Sequence, residues 1–261
     1  MDRTPTEARD PWAKEAFAAS RVGHENSGGG HTLDVTPENE SIIALIPAYE
    51  EGPRIGAVVE AARRHLPVVV VDDGSRDDTS DRARSAGATV LRQLPNAGKG
   101  AALRTGFRHA LDAGAPAVVT LDADGQHDPA EIPRFLDRFR ERRAELIIGQ
   151  RDLRSMPPIR RLSNMAGGIA LALALGRSVP DNQSGYRLIG RTLMARLLDS
   201  DESGFEFEVE MIARCIALGL PIDAVPIRTI YAGEPSHIRA WRHFTEFLRV
   251  TAKARRIARG G

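Results

Sequence analysis

Val118-Val119-Thr120-Leu121-Asp122-Ala123-Asp124-Gly125-Gln126-His127-Asp128-Pro129 decides how this chain folds. A β-branched apolar run halts at two carboxylates spaced i, i+2, the pattern of a buried strand delivering a hard-cation site at its carboxyl end. Oxygen ligands suit Mg²⁺ or Mn²⁺, and Mg²⁺ is typically held by one or two carboxylates while substrate phosphates complete its shell. Asp122 and Asp124 therefore imply a phosphorylated ligand. A calcium loop is the competing reading, because Thr120, Asp122, Asp124, Gly125 and Glu131 fall at EF-hand positions one, three, five, six and twelve. It fails on its surroundings: residues 117–121 are strand-like, and Pro129 sits inside the would-be loop.

Outward from that stretch, short apolar runs alternate with helical patterns. Residues 42–46 precede a helical pattern over 54–65, 68–71 precede 78–86, and 89–91 precede 100–111. The series continues with 117–121, a helix over 129–142 and a strand at 146–148. This alternation predicts an α/β fold with a mainly parallel sheet and helices on both faces. Ligands of such sheets sit outside the carboxyl ends of the strands, and those ends are chemically loaded here. They read Pro47-Ala48-Tyr49-Glu50-Glu51, Asp72-Asp73-Gly74-Ser75 and Asp122-Ala123-Asp124. Asp128 followed by Pro129 reads as an N-cap with a first-turn proline, which keeps the two aspartates on a short, stiff connection.

The run Val68-Val69-Val70-Val71 ends in Asp72 and Asp73, which come too early to cap the following helix. They are assigned a functional role, a carboxylate here being able to accept from ribose hydroxyls or a base N–H. Asp77 and Asp78 are read as caps of that helix. Gly98-Lys99-Gly100 places a flexible turn before an apolar helix, so that backbone N–H groups and Lys99 can approach phosphate. It is not a Walker A loop, since Gly100 follows the lysine and Gln93 stands where the first glycine belongs.

Thirty-six basic and thirty-five acidic side chains leave a formal charge of +1, so no global field recruits a nucleic acid. With 42% hydrophobic content in 261 residues, the chain can bury a substantial core. The single cysteine, Cys215, excludes an intramolecular disulfide, fits a reducing compartment and is read as packing in a helix. No segment reads as a secretory signal or approaches the ~20 apolar residues of a membrane span, which predicts a cytoplasmic protein. The apolar run 169–175 is too short to cross a bilayer but long enough to lie on its surface.

Taken together, Ile46-Pro47-Ala48-Tyr49-Glu50-Glu51, Val71-Asp72-Asp73-Gly74-Ser75, Asn96-Ala97-Gly98-Lys99-Gly100 and Leu121-Asp122-Ala123-Asp124-Gly125-Gln126-His127 resemble the family 2 glycosyltransferases of the glycosyltransferase-A fold. Gly149-Gln150-Arg151 and Asp181-Asn182-Gln183-Ser184-Gly185-Tyr186-Arg187-Leu188 narrow the resemblance. With Phe205-Glu206-Phe207-Glu208-Val209-Glu210 and Tyr231-Ala232-Gly233-Glu234-Pro235-Ser236, they are similar to the polyprenyl-phosphate branch, the dolichol-phosphate mannose or glucose synthases. The resemblance covers residues 42–237 and implies a Rossmann-like sheet and a nucleotide-diphosphate-sugar donor, UDP-glucose or GDP-mannose. It implies that Pro47, Tyr49, Glu51 and Asp73 line the nucleoside and that Asp122, Asp124 and Gln126 surround Mg²⁺ or Mn²⁺. Arg151 and one of Arg160 or Arg161 would hold the acceptor phosphate. Two departures stand out: Gln150 replaces a small serine usual in the branch, and the C-terminal transmembrane pair of many relatives has no counterpart.

A lipid phosphate acceptor is already ionised near neutral pH and needs arginines, not a base. Four arginines fall within residues 151–161. A hydroxyl acceptor needs a base, and Asp181 is the best-placed candidate; its alternative role is to cross-link the turn that follows it. Backside attack inverts the anomeric carbon. The leading expectation is thus an inverting, metal-dependent transferase of a hexose to a polyprenyl phosphate. The alternatives are transfer to a soluble hydroxyl and a non-catalytic nucleotide-sugar-binding subunit of a membrane partner. His237 is a candidate to approach the diphosphate from a closing loop, and Glu210 a helix-facing structural member.

The expected organisation is a disordered tail over 1–40, a catalytic domain over 41–237 and a basic amphipathic helix over 238–261. In the last, Ile238, Trp241, Phe244, Phe247 and Leu248 recur at helical spacing among arginines and lysines. Its first half suits packing on the domain, and its basic second half suits peripheral attachment to the inner face of a membrane.

Overall fold

The computed structural model describes residues 42–152, 158–204, 206–228 and 256, without the side chains of 158–164 and 166. The expected tail over 1–40 lies outside these residues. So do His237 and, apart from the helical and exposed Arg256, the helix expected over 238–261.

The four valines 68–71 are buried, as a strand must be when it has neighbours on both edges and helices on both faces. Burying each is worth about 1.5–3 kcal/mol, so the run settles in β2 (Val68–Asp72). It lies between β1 (Ile43–Ala48) and β3 (Thr89–Arg92), parallel to both. On its other edge β1 pairs in parallel with β4 (Ala117–Thr120). The sheet is completed by β5 (Leu146–Arg151), β6 (Arg187–Gly190) and β7 (Ile222–Ile227), in the order β3-β2-β1-β4-β6-β5-β7. Among the described strands only β6 runs antiparallel, against both β4 and β5, so the sheet is mainly parallel as expected. β6 and β7 are additions to the strand series read from the sequence.

Seven α-helices are seen among the described residues: α1 (Gly52–Ala62), α2 (Thr79–Ser85), α3 (Lys99–Asp112), α4 (Ile132–Arg142), α5 (Pro158–Leu175), α6 (Arg191–Leu197) and α7 (Glu206–Ala217). Alternate side chains of β1 divide the core. Ala44, Ile46 and Ala48 pack with Ile55, Val59, Ala83 and Phe135 of α1, α2 and α4. Ile43 and Leu45 pack with Leu103, Phe107, Leu193, Met194 and Ile212 of α3, α6 and α7. The period of two along the strand thus produces one helical layer on each face.

One local expectation is refined. The helix expected over 129–142 opens as a 3-10 turn, Pro129–Glu131, before α4; Asp128 caps it, its side chain accepting from the Ala130 N–H at 3.0 Å. Residues 206–210, where acids alternate with apolar side chains, belong to α7. Cys215 packs in α7, where burial pushes its thiol up to about 12, an inert structural residue.

The reversed strand positions the site. In the antiparallel register, Arg187 at the start of β6 faces Thr120 at the end of β4 and Ile148 of β5. The turn entering β6, residues 181–186, is therefore delivered to the carboxyl ends of its parallel neighbours, where a single parallel sheet would have placed a strand exit.

Candidate active site

Leu121 is wholly buried beyond β4, and the chain then turns outward so that Asp122 and Asp124 are only partly covered. Asp124 closes the turn by accepting from the Gln126 N–H at 2.9 Å. Asp122 is the hub. Its backbone N–H donates to His127 Nδ1 at 3.0 Å, and its Oδ1 accepts from Lys99 Nζ at 2.6 Å. His127 is buried and accepts at Nδ1, which places its proton on Nε2; burial holds its pKa below the ordinary value. Burial alone pushes the Asp122 carboxyl up, but the Lys99 ammonium, with His127 and Arg151, overrides this and holds it down to about 2. The Asp122 side chain keeps 29% of its surface exposed, so the anion is reachable from solvent.

Lys99 opens α3, and the turn before it is held by Asp73, the residue that follows β2. Asp73 accepts from the backbone N–H groups of Ala97 and Gly98 at 2.8 and 2.7 Å, and from Gln93 Nε2. Gly98 adopts φ +93°, and a Cβ there would lie 2.5 Å from the Ser203 carbonyl oxygen, so glycine is required on both counts. Asp72 is fully buried and accepts from the Ser75 N–H at 2.8 Å and from the Ser80 hydroxyl, bonds that shape the turn after β2. Asp77 bridges two helix starts, accepting from the N–H groups of Thr79 and Gly52, whereas the Asp78 side chain makes no cap and pairs with Arg82 at 2.6 Å.

On the other flank, Arg151 at the end of β5 forms a two-pronged pair with Asp181, Nε to Oδ2 at 2.6 Å and Nη2 to Oδ1 at 2.7 Å. Asp181 also accepts from the Arg151 N–H at 3.1 Å. This is the cross-linking role weighed for Asp181. Within the same turn, a Cβ on Gly185 would lie 3.0 Å from both Asp122 Oδ2 and Lys99 Nζ, so this backbone lies directly against the pair. The turn is anchored below by Arg187. Its buried guanidinium donates to the carbonyls of Ser184, Asn182 and Glu208 at 2.7, 2.9 and 2.7 Å.

The remaining candidates are placed as follows. Tyr49 is exposed at the end of β1, beside the partly covered Pro47. Glu51 pairs with Arg54 at 2.9 Å, and Gln126 is partly covered next to Asp124. Arg160 and Arg161 are in α5, and their side chains lie outside the described residues. Three residues gain a place that the sequence did not assign. His127 holds the Asp122 backbone, Glu208 meets Lys99 at 2.8 Å, and Arg187 ties the 181–186 turn to α7. All three stand in motifs that the sequence offered, but their partners are set by the fold.

Among the described residues, no group of three or more His, Cys, Asp or Glu side chains could hold a metal ion. Two carboxylates on a short turn nonetheless fit a hard divalent ion whose shell is completed by phosphate oxygens.

The model of the glycosyl transferase family 2 matches residues 43–198. The chain is 35% identical over 201 residues to an undecaprenyl-phosphate mannosyltransferase of Micrococcus luteus, covering 71% of this chain and 82% of the relative. It is 29% identical over 221 residues to a polyprenol monophosphomannose synthase of Mycolicibacterium smegmatis, covering 78% and 83%. Its fold is similar to that of glucosyl-3-phosphoglycerate synthase from Mycobacterium tuberculosis in complex with Mn²⁺, uridine diphosphate and glucosyl-3-phosphoglycerate. That likeness has a TM-score of 0.64 at 21% identity, covering 88% of this chain and 86% of the other.

Proposed function

The chain belongs to glycosyl transferase family 2 and carries the glycosyltransferase-A fold, and we propose that it moves a hexose from a nucleotide-diphosphate sugar to a polyprenyl phosphate with inversion at the anomeric carbon. The observation that carries this reading is the meeting, at one sheet edge, of the Asp122–Lys99 pair with a turn locked by Arg151 and Asp181. A donor side and an acceptor side stand against each other there.

Asp122 and Asp124 would hold Mg²⁺ or Mn²⁺, which supplies charge neutralisation for the departing diphosphate. Lys99 adds a positive charge beside the same oxygens, and Pro47, Tyr49, Glu51 and Asp73 form the nucleoside side. Arg151 faces the acceptor. Its guanidinium plane is fixed by Asp181, and a planar fork of fixed orientation suits a phosphate better than a mobile ammonium does. The acceptor oxygen, already ionised, attacks the anomeric carbon opposite the leaving diphosphate, so an α-linked donor yields a β-linked product. Transfer to a hydroxyl is disfavoured because both Asp181 oxygens accept from Arg151, and a base role would have to break that pair.

Membrane contact is part of the reading. No helix among the described residues is long and apolar enough to cross a bilayer. Met165, Ile169 and Leu173, one helical turn apart on α5, are nevertheless 47%, 59% and 79% exposed. An apolar stripe following the acceptor-side loop suits a protein resting on the lipid that holds its acceptor.

The test is a panel of nucleotide sugars incubated with short polyprenyl phosphate and Mg²⁺ or Mn²⁺, in solution and on vesicles. A hexosyl-phosphoryl-polyprenol product is expected by mass, lost when a phosphatase pretreats the acceptor, with the chain sedimenting with the vesicles. Equal transfer to a dephosphorylated acceptor would remove the phosphate from the mechanism, and absence from the vesicle pellet would remove the membrane contact.

A further inference from the structure

Lys99 serves two acids at once. Its ammonium lies 2.6 Å from Asp122 Oδ1 and 2.8 Å from Glu208 Oε1. Glu208 comes from α7, on the helical layer behind the sheet edge, and its side chain is only 7% exposed. None of the steps above employs it. The Gly185 backbone lies against Asp122 and Lys99 together, so the ion pair is enclosed on that side by main chain.

An ammonium at hydrogen-bond distance from a carboxylate oxygen and a divalent cation on that same oxygen exclude each other. Their repulsion decays only as the inverse of distance, and partial burial weakens the solvent screening. A cation approaching Asp122, at Oδ1 or at the neighbouring Oδ2, meets the charge of the Lys99 ammonium and binds more tightly once Lys99 moves. The displaced ammonium still needs an anion, since a desolvated charge without a partner is costly. Glu208 is positioned to retain it, and an arriving diphosphate supplies further negative charge.

We propose that Lys99 is a built-in counter-ion that keeps a divalent cation off Asp122 until a nucleoside diphosphate enters, with Glu208 as the positioning residue that retains the displaced ammonium in the site. This rests on the reading of Asp122 and Asp124 as the metal–diphosphate centre. Metal and nucleotide then bind cooperatively, each raising the other's affinity by the same factor. Metal alone binds weakly because it must compete with a resident cation.

The experiment is Mn²⁺ binding to the full chain by calorimetry, with and without uridine diphosphate. Lys99→Met is expected to bind Mn²⁺ alone on the order of tenfold more tightly than wild type, and to lose a similar factor of enhancement by uridine diphosphate. Glu208→Gln is expected to move the other way, with weaker binding of Mn²⁺ alone, because the ammonium then rests more on Asp122. A purely structural lysine would weaken metal binding when removed. Unchanged or weaker Mn²⁺ binding by Lys99→Met with a wild-type melting profile overturns the proposal. If that variant does not fold, unchanged or tighter binding of Mn²⁺ alone by Glu208→Gln overturns it. Wild type that binds no Mn²⁺ even with uridine diphosphate refutes the metal centre itself, a separate result that removes both readings.

Discussion

Asp124→Ala is expected to abolish sugar transfer while leaving the chain folded. A ligand to the ion that neutralises a leaving diphosphate contributes several kcal/mol to the transition state. A loss of about 4 kcal/mol lowers the rate on the order of 10³-fold. The same side chain does little for the fold: it is partly covered and accepts one backbone N–H, from Gln126. Such a bond is worth about 1 kcal/mol net. Turnover at saturating donor and metal, measured beside the thermal melt, checks both halves. A near-wild-type rate would contradict the role of Asp124.

The second large effect is expected at Arg151, where activity and stability separate. Arg151→Ala removes two charge-assisted bonds to the acceptor phosphate at about 1.5–3 kcal/mol each, so kcat/KM for the acceptor should fall on the order of 10³-fold. It also leaves Asp181 as a buried anion without its guanidinium, a loss of about 3–5 kcal/mol in urea unfolding. The double variant Arg151→Met, Asp181→Leu replaces the pair by apolar groups. It should regain most of that stability, yet none of the activity. Recovery of transfer by the double variant would show that Arg151 acts only as a structural partner of Asp181.

Much of this architecture is written locally. A run such as Val68-Val69-Val70-Val71 can only be an internal strand, and a carboxylate directly after it can only stand at the sheet's carboxyl edge, which is how Asp122 and Asp124 were legible. β6 was not. Arg187-Leu188-Ile189-Gly190 is four residues long and begins with a fully buried arginine, so it offers neither alternation nor an apolar run. Its direction is fixed by pairing with β4 and β5, a tertiary choice absent from its own sequence. The different partners of Asp72 and Asp73 were illegible for a related reason. Adjacent aspartates at a strand end look alike, and only the fold turns Asp72 onto Ser75 and Ser80 while Asp73 reaches the turn before Lys99. The Lys99–Glu208 pair joins distant parts of the chain across α3 and α7, so no spacing rule could announce it.

The central claim is that Asp122 and Asp124 grip one divalent ion on the diphosphate of an activated sugar. Crystals grown with Mn²⁺ and uridine diphosphate test it directly through the anomalous signal of manganese. The expected peak lies within about 2.5 Å of an oxygen from each aspartate and of diphosphate oxygens, with Lys99 withdrawn from Asp122. Manganese bound elsewhere, with Lys99 still seated on Asp122 beside the bound nucleotide, would contradict the account.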